Sequence, residues 1–179
     1  ILLEPEHRYM LKNDPDFDFN SVTTIVSNYF EPFNENEIAA KLVATHPKYM
    51  GMETTELISK WHAARDYGTK VHGEIESYLN DDIQPETKDA STAIHWLKKY
   101  QMKSNIVVHS EVRVFSKELK LAGSIDIVAY DKEKNTYEII DWKTSKSIDM
   151  TSFNHKKGTH KITSHLMDCN FIHYSMQLS

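Results

Sequence analysis

The feature that most limits the possible folds is a change in hydrophobic periodicity near the middle of the chain. Over residues 55–79, apolar side chains recur every three or four positions, which is typical of a long amphipathic helix. Three later segments, rich in Val, Ile and Tyr, alternate with period two: 106–115, 119–130 and 136–144. Turn-forming sequences separate these segments, so they are predicted to form an antiparallel three-strand meander.

Further helices are predicted on both sides of this pattern. Ser21 is a suitable N-cap for a short helix over 21–29, and the capping-box sequence 34–37 opens another helix that Pro47 ends. Two more amphipathic segments are expected to be helical: 89–102 and 167–178. The predicted class is therefore α/β, with helices packed on a sheet.

Composition narrows the class of protein. With 179 residues and 40% hydrophobic content, the chain is long enough for one domain and rather short for two. A mean hydropathy of -0.55, without an apolar run near the ~20 residues of a membrane span, predicts a soluble protein with no membrane partner. The single cysteine, Cys169, excludes an internal disulfide and a four-cysteine iron–sulfur cluster in this segment, which favours an intracellular, reducing setting.

The two ends of the chain suggest a piece of a longer sequence. It begins at Ile1, and it stops inside the last predicted helix. We recognise no cleavable signal or transit sequence in it. The compartment is left open between a phage- or virus-infected cell, a bacterial cytoplasm and a mitochondrion.

Charge is distributed unevenly. The net charge of -5 argues against a uniformly basic nucleic-acid coat. Between residues 143 and 161, however, one acid, Asp149, stands against five lysines: Lys143, Lys146, Lys156, Lys157 and Lys161. A polyanion such as DNA is expected to contact this stretch. The last four of these lysines are the predicted substrate-binding residues.

The clearest chemical pattern is at the end of the third predicted strand, which closes with Asp141-Trp142-Lys143. Residues two apart on a strand project from the same face, so the Asp141 carboxylate and the Lys143 ammonium are expected to face one cavity. The preceding strand places Asp126 between two isoleucines, where an uncompensated carboxylate is costly. In a hairpin, Asp126 and Asp141 can share a divalent cation, and such oxygen ligands suit Mg²⁺ or Mn²⁺ rather than Zn²⁺.

This set of residues suits metal-assisted hydrolysis of phosphodiesters, with Lys143 orienting the nucleophile or taking up developing charge. Two other interpretations stay open. An Asp-x-Lys sequence at a strand end often marks only the exit of the strand into solvent. A zinc site is the second, although its five candidate ligands have spacings that match no structural zinc pattern. They are His155, His160, His165, Cys169 and His173.

Four stretches resemble the RecB-type branch of the PD-(D/E)xK nucleases, a branch that includes mitochondrial genome maintenance exonucleases and exonucleases of phages and large viruses. They are GTKVHGEIESYL at 68–79, LAGSID at 121–126, IDWKTS at 140–145 and YSMQ at 174–177. Their order, and their placement on helix, strand, strand and helix, agree with that family.

The resemblance implies a restriction-endonuclease-like core, in which helices flank a central mixed sheet containing the antiparallel meander. Residues 1–60 would be an N-terminal helical extension packed on the core, and 61–179 the nuclease core, truncated at its C-terminus, in one compact domain overall. A fourth strand is expected beyond residue 179 or within 161–166.

The resemblance also implies roles for single residues. Asp126 and Asp141 correspond to the two metal-binding acids of the family, and Lys143 corresponds to its catalytic lysine. His72 corresponds to the helical histidine that completes the metal shell, and the main-chain carbonyl of Trp142 to a further metal ligand.

Two more positions follow from the same comparison. Gln177 matches the glutamine of a terminal Gln-x-x-x-Tyr motif, whose tyrosine would fall past residue 179. Glu111 matches an acidic position on the first strand that some members place at the metal site. A charge pair of Glu111 with Arg113 or a lysine is an equally open interpretation.

The implied function is a Mg²⁺-dependent deoxyribonuclease, with Mn²⁺ as a substitute and no iron–sulfur cluster. It would be an exonuclease on single-stranded or free-ended DNA, acting in DNA repair, replication or recombination with partners from those processes. Two alternatives remain. One is a non-catalytic DNA-binding module with a nuclease fold, and the other is the nuclease domain of a larger helicase–nuclease.

Overall fold

The computed structural model describes residues 2–3, 8–102 and 105–179. Contacts divide the chain into two compact units. We call them the sheet unit, formed by Ile1–Glu31 and Trp96–Ser179, and the helical unit, formed by Pro32–His95. The division expected at residue 60 falls within a long helix of the helical unit.

The elements follow the predicted order of helices, meander and final helix. Three two-residue strands come first: β1 (Leu2–Leu3), β2 (Arg8–Tyr9) and β3 (Asn20–Ser21). The first helix, α1 (Val22–Asn28), follows them. The next three helices are α2 (Glu35–Thr45), α3 (Thr54–Asp81) and α4 (Lys88–Gln101). The chain continues with β4 (Ile106–Ser116), β5 (Leu121–Asp131), β6 (Thr136–Ile140), a 3-10 turn at Phe153–His155 and α5 (Asn170–Leu178).

The central strand of the main sheet is β5. Along one edge it pairs antiparallel with β4 from end to end, except at Glu111. Along its other edge, β6 pairs antiparallel with the second half of β5, and β3 pairs parallel with its first two residues. The result is a mixed four-stranded sheet, and its β4–β5–β6 part is the antiparallel meander that the sequence predicts.

The fourth strand comes from an unexpected part of the chain. Residues 161–166 form turns and a bend, so the prediction of a strand there is wrong. Instead β3 supplies it: the Asn20 N–H donates to the Lys120 carbonyl at 2.8 Å, and Asn20 pairs with Leu121. Two residues are too short to show a period-two pattern, so this pairing carries no sequence signal.

Side-chain caps begin two helices where the sequence predicts them. Ser21 Oγ accepts the Thr24 N–H at 3.0 Å at the start of α1. Asn34 Oδ1 accepts the Glu37 N–H at 3.3 Å at the start of α2. Each cap satisfies a backbone donor that the first helical turn leaves unpaired, which stabilises a helix by about 1 kcal/mol.

Within the helical unit, two partly buried hydrogen bonds join α3 to the residue before α4. Glu74 Oε2 accepts from the Thr87 N–H at 2.8 Å and from the Thr87 hydroxyl at 2.7 Å. The hydroxyl contributes most to holding the pKa of the Glu74 carboxyl below its ordinary value. On the other side of α3, Trp61 packs edge-on against Phe33, with ring centroids 5.5 Å apart.

The two faces of the main sheet differ in burial. Ile127, Ala129 and Asp131 point to one face of β5 and are 0%, 2% and 6% exposed. We call this the covered face. On it, Tyr100 in the last turn of α4 donates its hydroxyl to Glu138 of β6, and this hydrogen bond is the main reason that the pKa of Tyr100 is raised to about 12.

The opposite face is less buried. Asp126, Val128 and Tyr130 alternate along β5 with the residues of the covered face, and all three are only partly buried. We call it the open face. Because Asp126 lies on the open face, the metal site predicted from the sequence would lie on this side of the sheet. None of the described residues forms a helix long and apolar enough to cross a membrane.

Candidate active site

Three predicted acids border one row of the meander. In that row, Ile127 of β5 pairs with Ser110 on β4 and with Ile140 on β6. In the sequence, Glu111 follows Ser110, Asp126 precedes Ile127 and Asp141 follows Ile140, but the paired register of the strands includes none of the three. We call these three acids the carboxylate row, after the row that they border.

Glu111 interrupts the ladder at this row. The pairs on either side of it are formed, Ser110 with Ile127 and Val112 with Ile125, but Glu111 itself has a φ of 47°. A residue other than glycine in the left-handed region costs of order 1–3 kcal/mol and persists only where its surroundings impose it. Such strain is concentrated at functional sites, which is consistent with the role that the resemblance assigns to Glu111.

The third strand is shorter than expected. β6 ends at Ile140, so Asp141 and Lys143 lie after the strand, and the prediction that the strand extends through them is wrong. The Trp142 N–H donates to Asp126 Oδ2 at 2.7 Å. The Trp142 N–H thus bonds to a side-chain carboxylate rather than to a main-chain carbonyl of β5, and the β5–β6 ladder ends before it. The same bond compensates part of the charge of Asp126.

Asp141 and Lys143 meet directly in spite of the strand end. The Lys143 ammonium contacts Asp141 Oδ2, and the side chains are 25% and 12% exposed, respectively. From α5, Gln177 Nε2 reaches Asp141 Oδ1 at 3.4 Å. The structure therefore brings together three of the predicted site residues around one carboxylate.

Tyr174 belongs to the same group, although the sequence did not mark it as a site residue. The Lys143 ammonium lies 4.7 Å from the centroid of the Tyr174 ring, within the range of a cation–π interaction. The Tyr174 hydroxyl accepts from Asn170 Nδ2 at 3.1 Å. Residues three apart share one side of a helix, so the spacing of Tyr174 and Gln177 was the available signal.

Contacts near the start of α5 hold it in place. His173 Nε2 lies 2.9 Å from Asp168 Oδ1, and the His173 ring packs on the buried ring of Phe30 at a centroid distance of 4.1 Å. Because α5 also carries Tyr174 and Gln177, these contacts fix the helix that reaches Asp141 and Lys143.

The indole of Trp142 packs away from the charged group. Its ring meets Trp96 of α4 edge-on at 5.8 Å, and Trp96 stacks on Tyr100 at 5.2 Å. Its Nε1 is buried and has no hydrogen-bond partner among the residues that the structure describes. The role of the Trp142 carbonyl as a metal ligand stays a prediction.

The remaining predicted ligand is in the other unit. His72 lies on α3 in the helical unit and is half-buried, whereas the other predicted site residues belong to the sheet unit. Its place in a metal shell stays a prediction.

The predicted DNA-contacting lysines are all exposed: Lys146, Lys156, Lys157 and Lys161. Lys156 forms an ion pair with Glu31, which offsets part of its charge. The segment that follows is anchored to the end of α1, because the Thr159 N–H donates to the Tyr29 carbonyl at 2.8 Å. Its lysines thus project from a fixed loop.

The chemistry of the donor set fits a hard divalent cation such as Mg²⁺. Carboxylate oxygens are the ligands that such ions prefer, and Asp126 and Asp141 supply them. In the part of the chain that is described, no three His, Cys, Asp or Glu side chains are grouped as a metal site. Among the zinc candidates, Cys169 is buried and His160 packs edge-on against Tyr29.

No protein-family model matches this sequence, and neither a curated protein nor a solved structure matches it. The α/β class rests on the structure itself, while the nuclease family stays a prediction from the four resembling stretches.

Proposed function

We propose that the chain is a Mg²⁺-dependent nuclease that hydrolyses phosphodiester bonds in DNA. The observation that carries the proposal is the cluster at the end of β6, where Lys143 and Gln177 contact Asp141 and the Trp142 N–H donates to Asp126. Two carboxylates and an ammonium at one end of a hairpin are the groups that suit metal-assisted hydrolysis of a phosphodiester.

In this proposal Asp126 and Asp141 would hold the metal ion, with Glu111 and the Trp142 carbonyl as additional ligands that the resemblance implies. Mg²⁺ bound there would supply Lewis-acid polarisation of the phosphate. The Trp142 N–H keeps one oxygen of Asp126 oriented, through the bond of 2.7 Å. The orientation of that carboxylate is therefore set before substrate binds.

Lys143 is the group that would position the attacking water or take up charge on the phosphate. Asp141 and the ring of Tyr174 both contact its ammonium. Gln177, against the other oxygen of Asp141, would keep that carboxylate facing the site when Lys143 turns toward substrate.

The exposed lysines would bind the DNA backbone. Contacts of this kind depend on neutralising phosphates, so binding should weaken steeply as salt rises. We propose exonuclease action on single-stranded or free-ended DNA in repair, replication or recombination, either alone or as a domain of a larger helicase–nuclease.

The test is degradation of end-labelled single- and double-stranded DNA with Mg²⁺, Mn²⁺ or EDTA. We expect metal-dependent cleavage by the unmodified chain and at least a hundredfold loss in Asp141→Ala and in Lys143→Ala, since removing one preorganised charged group costs about 10²–10³ in rate. Asp149→Ala is the matched control, because Asp149 is an exposed acid in the neighbouring loop.

Two outcomes would contradict the proposal. If Asp149→Ala loses as much activity as Asp141→Ala, the cleavage does not come from this row. If folded protein binds DNA without cleaving it under any metal, the non-catalytic DNA-binding module replaces the nuclease.

A further inference from the structure

The open face of the sheet continues beyond the carboxylates as a surface of apolar and aromatic side chains with one histidine, His109. Two residues along β5 from Asp126, Val128 lies in a row with Ile139 of β6. Two residues further on, Tyr130 lies in a row with Tyr137. Four residues at about 3.4 Å per residue place this tyrosine row roughly 14 Å from the carboxylate row, on the same face.

The tyrosine pair is preorganised and accessible. The two rings stack with centroids 4.7 Å apart and planes 22° apart. Tyr130 is held by its hydroxyl, which donates to Asn135 Oδ1 at 2.9 Å. Tyr137 is 68% exposed and Ile139 is 48% exposed. In the described part of the chain, the aromatic ring that stacks on Tyr137 is that of Tyr130, and most of the Tyr137 side chain is exposed to solvent.

Cross-strand aromatic pairs stabilise hairpins, but that role alone does not require so much exposed ring. Flat, uncharged ring faces suit the faces of nucleobases rather than phosphates. Base faces are accessible only where a strand is unpaired, because in a duplex they stack on neighbouring pairs. An exposed tyrosine roughly 14 Å from the proposed nuclease site therefore favours a single strand over a duplex.

We infer that Tyr137, backed by Tyr130, stacks an unpaired nucleobase of the strand whose phosphate lies at the carboxylate row. The inference rests on the proposed function and assigns to Tyr137 the selection of an unpaired strand over a duplex. Ile139, between the two rows, provides apolar contact for the intervening part of the strand.

The experiment measures binding of three labelled probes in EDTA, where cleavage is prevented: an oligothymidylate, an abasic oligomer of the same length and a duplex. Replacing a stacking aromatic by alanine weakens binding by about 5- to 150-fold per base. We expect that loss for Tyr137→Ala on oligothymidylate alone, with the abasic and duplex probes unaffected. Tyr137→Phe, which keeps the ring, should bind within about twofold of the unmodified chain.

Two further variants keep the test decisive. Leu119→Ala is the matched control, since Leu119 is 65% exposed in the β4–β5 turn. Tyr137→Leu keeps apolar bulk without an aromatic face, so it should bind as weakly as Tyr137→Ala, and it replaces that variant if alanine unfolds the hairpin.

The outcomes separate this inference from the nuclease itself. Metal-dependent cleavage with undiminished oligothymidylate binding by Tyr137→Ala and Tyr137→Leu overturns the stacking role only. An equal loss on all three probes overturns it as well. Base-dependent binding through Tyr137 without any cleavage supports the stacking role and overturns the nuclease. An unmodified chain that neither binds nor cleaves nucleic acid overturns both.

Discussion

Replacing Gly158 by alanine should loosen the loop that carries the exposed lysines. A Cβ at this position would lie 2.3 Å from Thr163 Oγ1, 2.5 Å from Thr163 Cβ and 2.6 Å from the Thr163 carbonyl oxygen. Thr163 is only 3% exposed, and its hydroxyl lies 3.3 Å from the Tyr29 carbonyl, so it has little freedom to rotate away. The backbone itself must therefore shift.

The magnitude follows from the contacts that this shift would break. Overpacking of a buried position costs about 1–3 kcal/mol. The hydrogen bonds of Thr159 and Thr163 to the Tyr29 carbonyl contribute about 0.5–1.5 kcal/mol each. Together the loss is about 2–6 kcal/mol, which at roughly 2–4 °C per kcal/mol lowers the melting temperature by about 4–24 °C.

The assay is thermal unfolding followed by circular dichroism, with Gly73→Ala as the matched control. Gly73 is exposed inside α3, and a Cβ there meets no atom within 4 Å. Alanine should stabilise this helix by roughly 0.5–1 kcal/mol, because it restricts the unfolded chain without strain in the helix. A Gly158→Ala protein that melts within about 2 °C of the unmodified chain would refute the packing argument.

Two more predictions follow from the site and the sheet. Tyr174→Leu removes a cation–π contact of about 0.5–2 kcal/mol with Lys143, so nuclease activity should fall about 2- to 30-fold. Tyr174→Phe keeps the ring and should therefore keep the activity. Equal rates in the two variants would exclude this role for the ring. The side chain of Lys134 and the N–H groups of Lys134 and Glu133 hold the pKa of Asp131 below its ordinary value. The ionised form of Asp131 therefore stabilises the fold above the unfolded-state pKa of about 3.9. This stabilisation is lost as the pH falls through the lower folded-state pKa. Asp131→Asn should therefore destabilise the protein most above about pH 5 and progressively less toward acid, and a pH-independent difference in urea midpoints would contradict this account.

Local signals in the sequence predicted most of the elements. The helix capped by Ser21, the helix capped by Asn34 and the long α3 are present, and each depends on caps or periodicity within a few residues. The β4–β5–β6 meander was predictable for the same reason, since alternation and short turns specify antiparallel neighbours. The alternative expectation of a strand over 161–166 was wrong, since these residues form turns and a bend.

The candidate site was only partly predictable. Asp126, Asp141 and Lys143 stand out in the sequence because charged residues beside apolar strand residues conflict with the burial pattern. The contact of Gln177 with Asp141 was not accessible from local pattern, because the two residues are 36 positions apart. The same holds for Tyr137 as an accessible aromatic, since exposure depends on what packs over the sheet.

The sequence by itself determined which segments are helix or strand, because capping, periodicity and turn chemistry act between near neighbours. It also determined which side chains are available for chemistry. Only the tertiary structure decided that β3 adds to β5, that β6 stops at Ile140, and that α5 brings its side chains to Asp141. These outcomes depend on contacts between segments that are distant in the sequence. The local preferences of such segments are weak and allow several strand and helix pairings, and tertiary packing selects one of them.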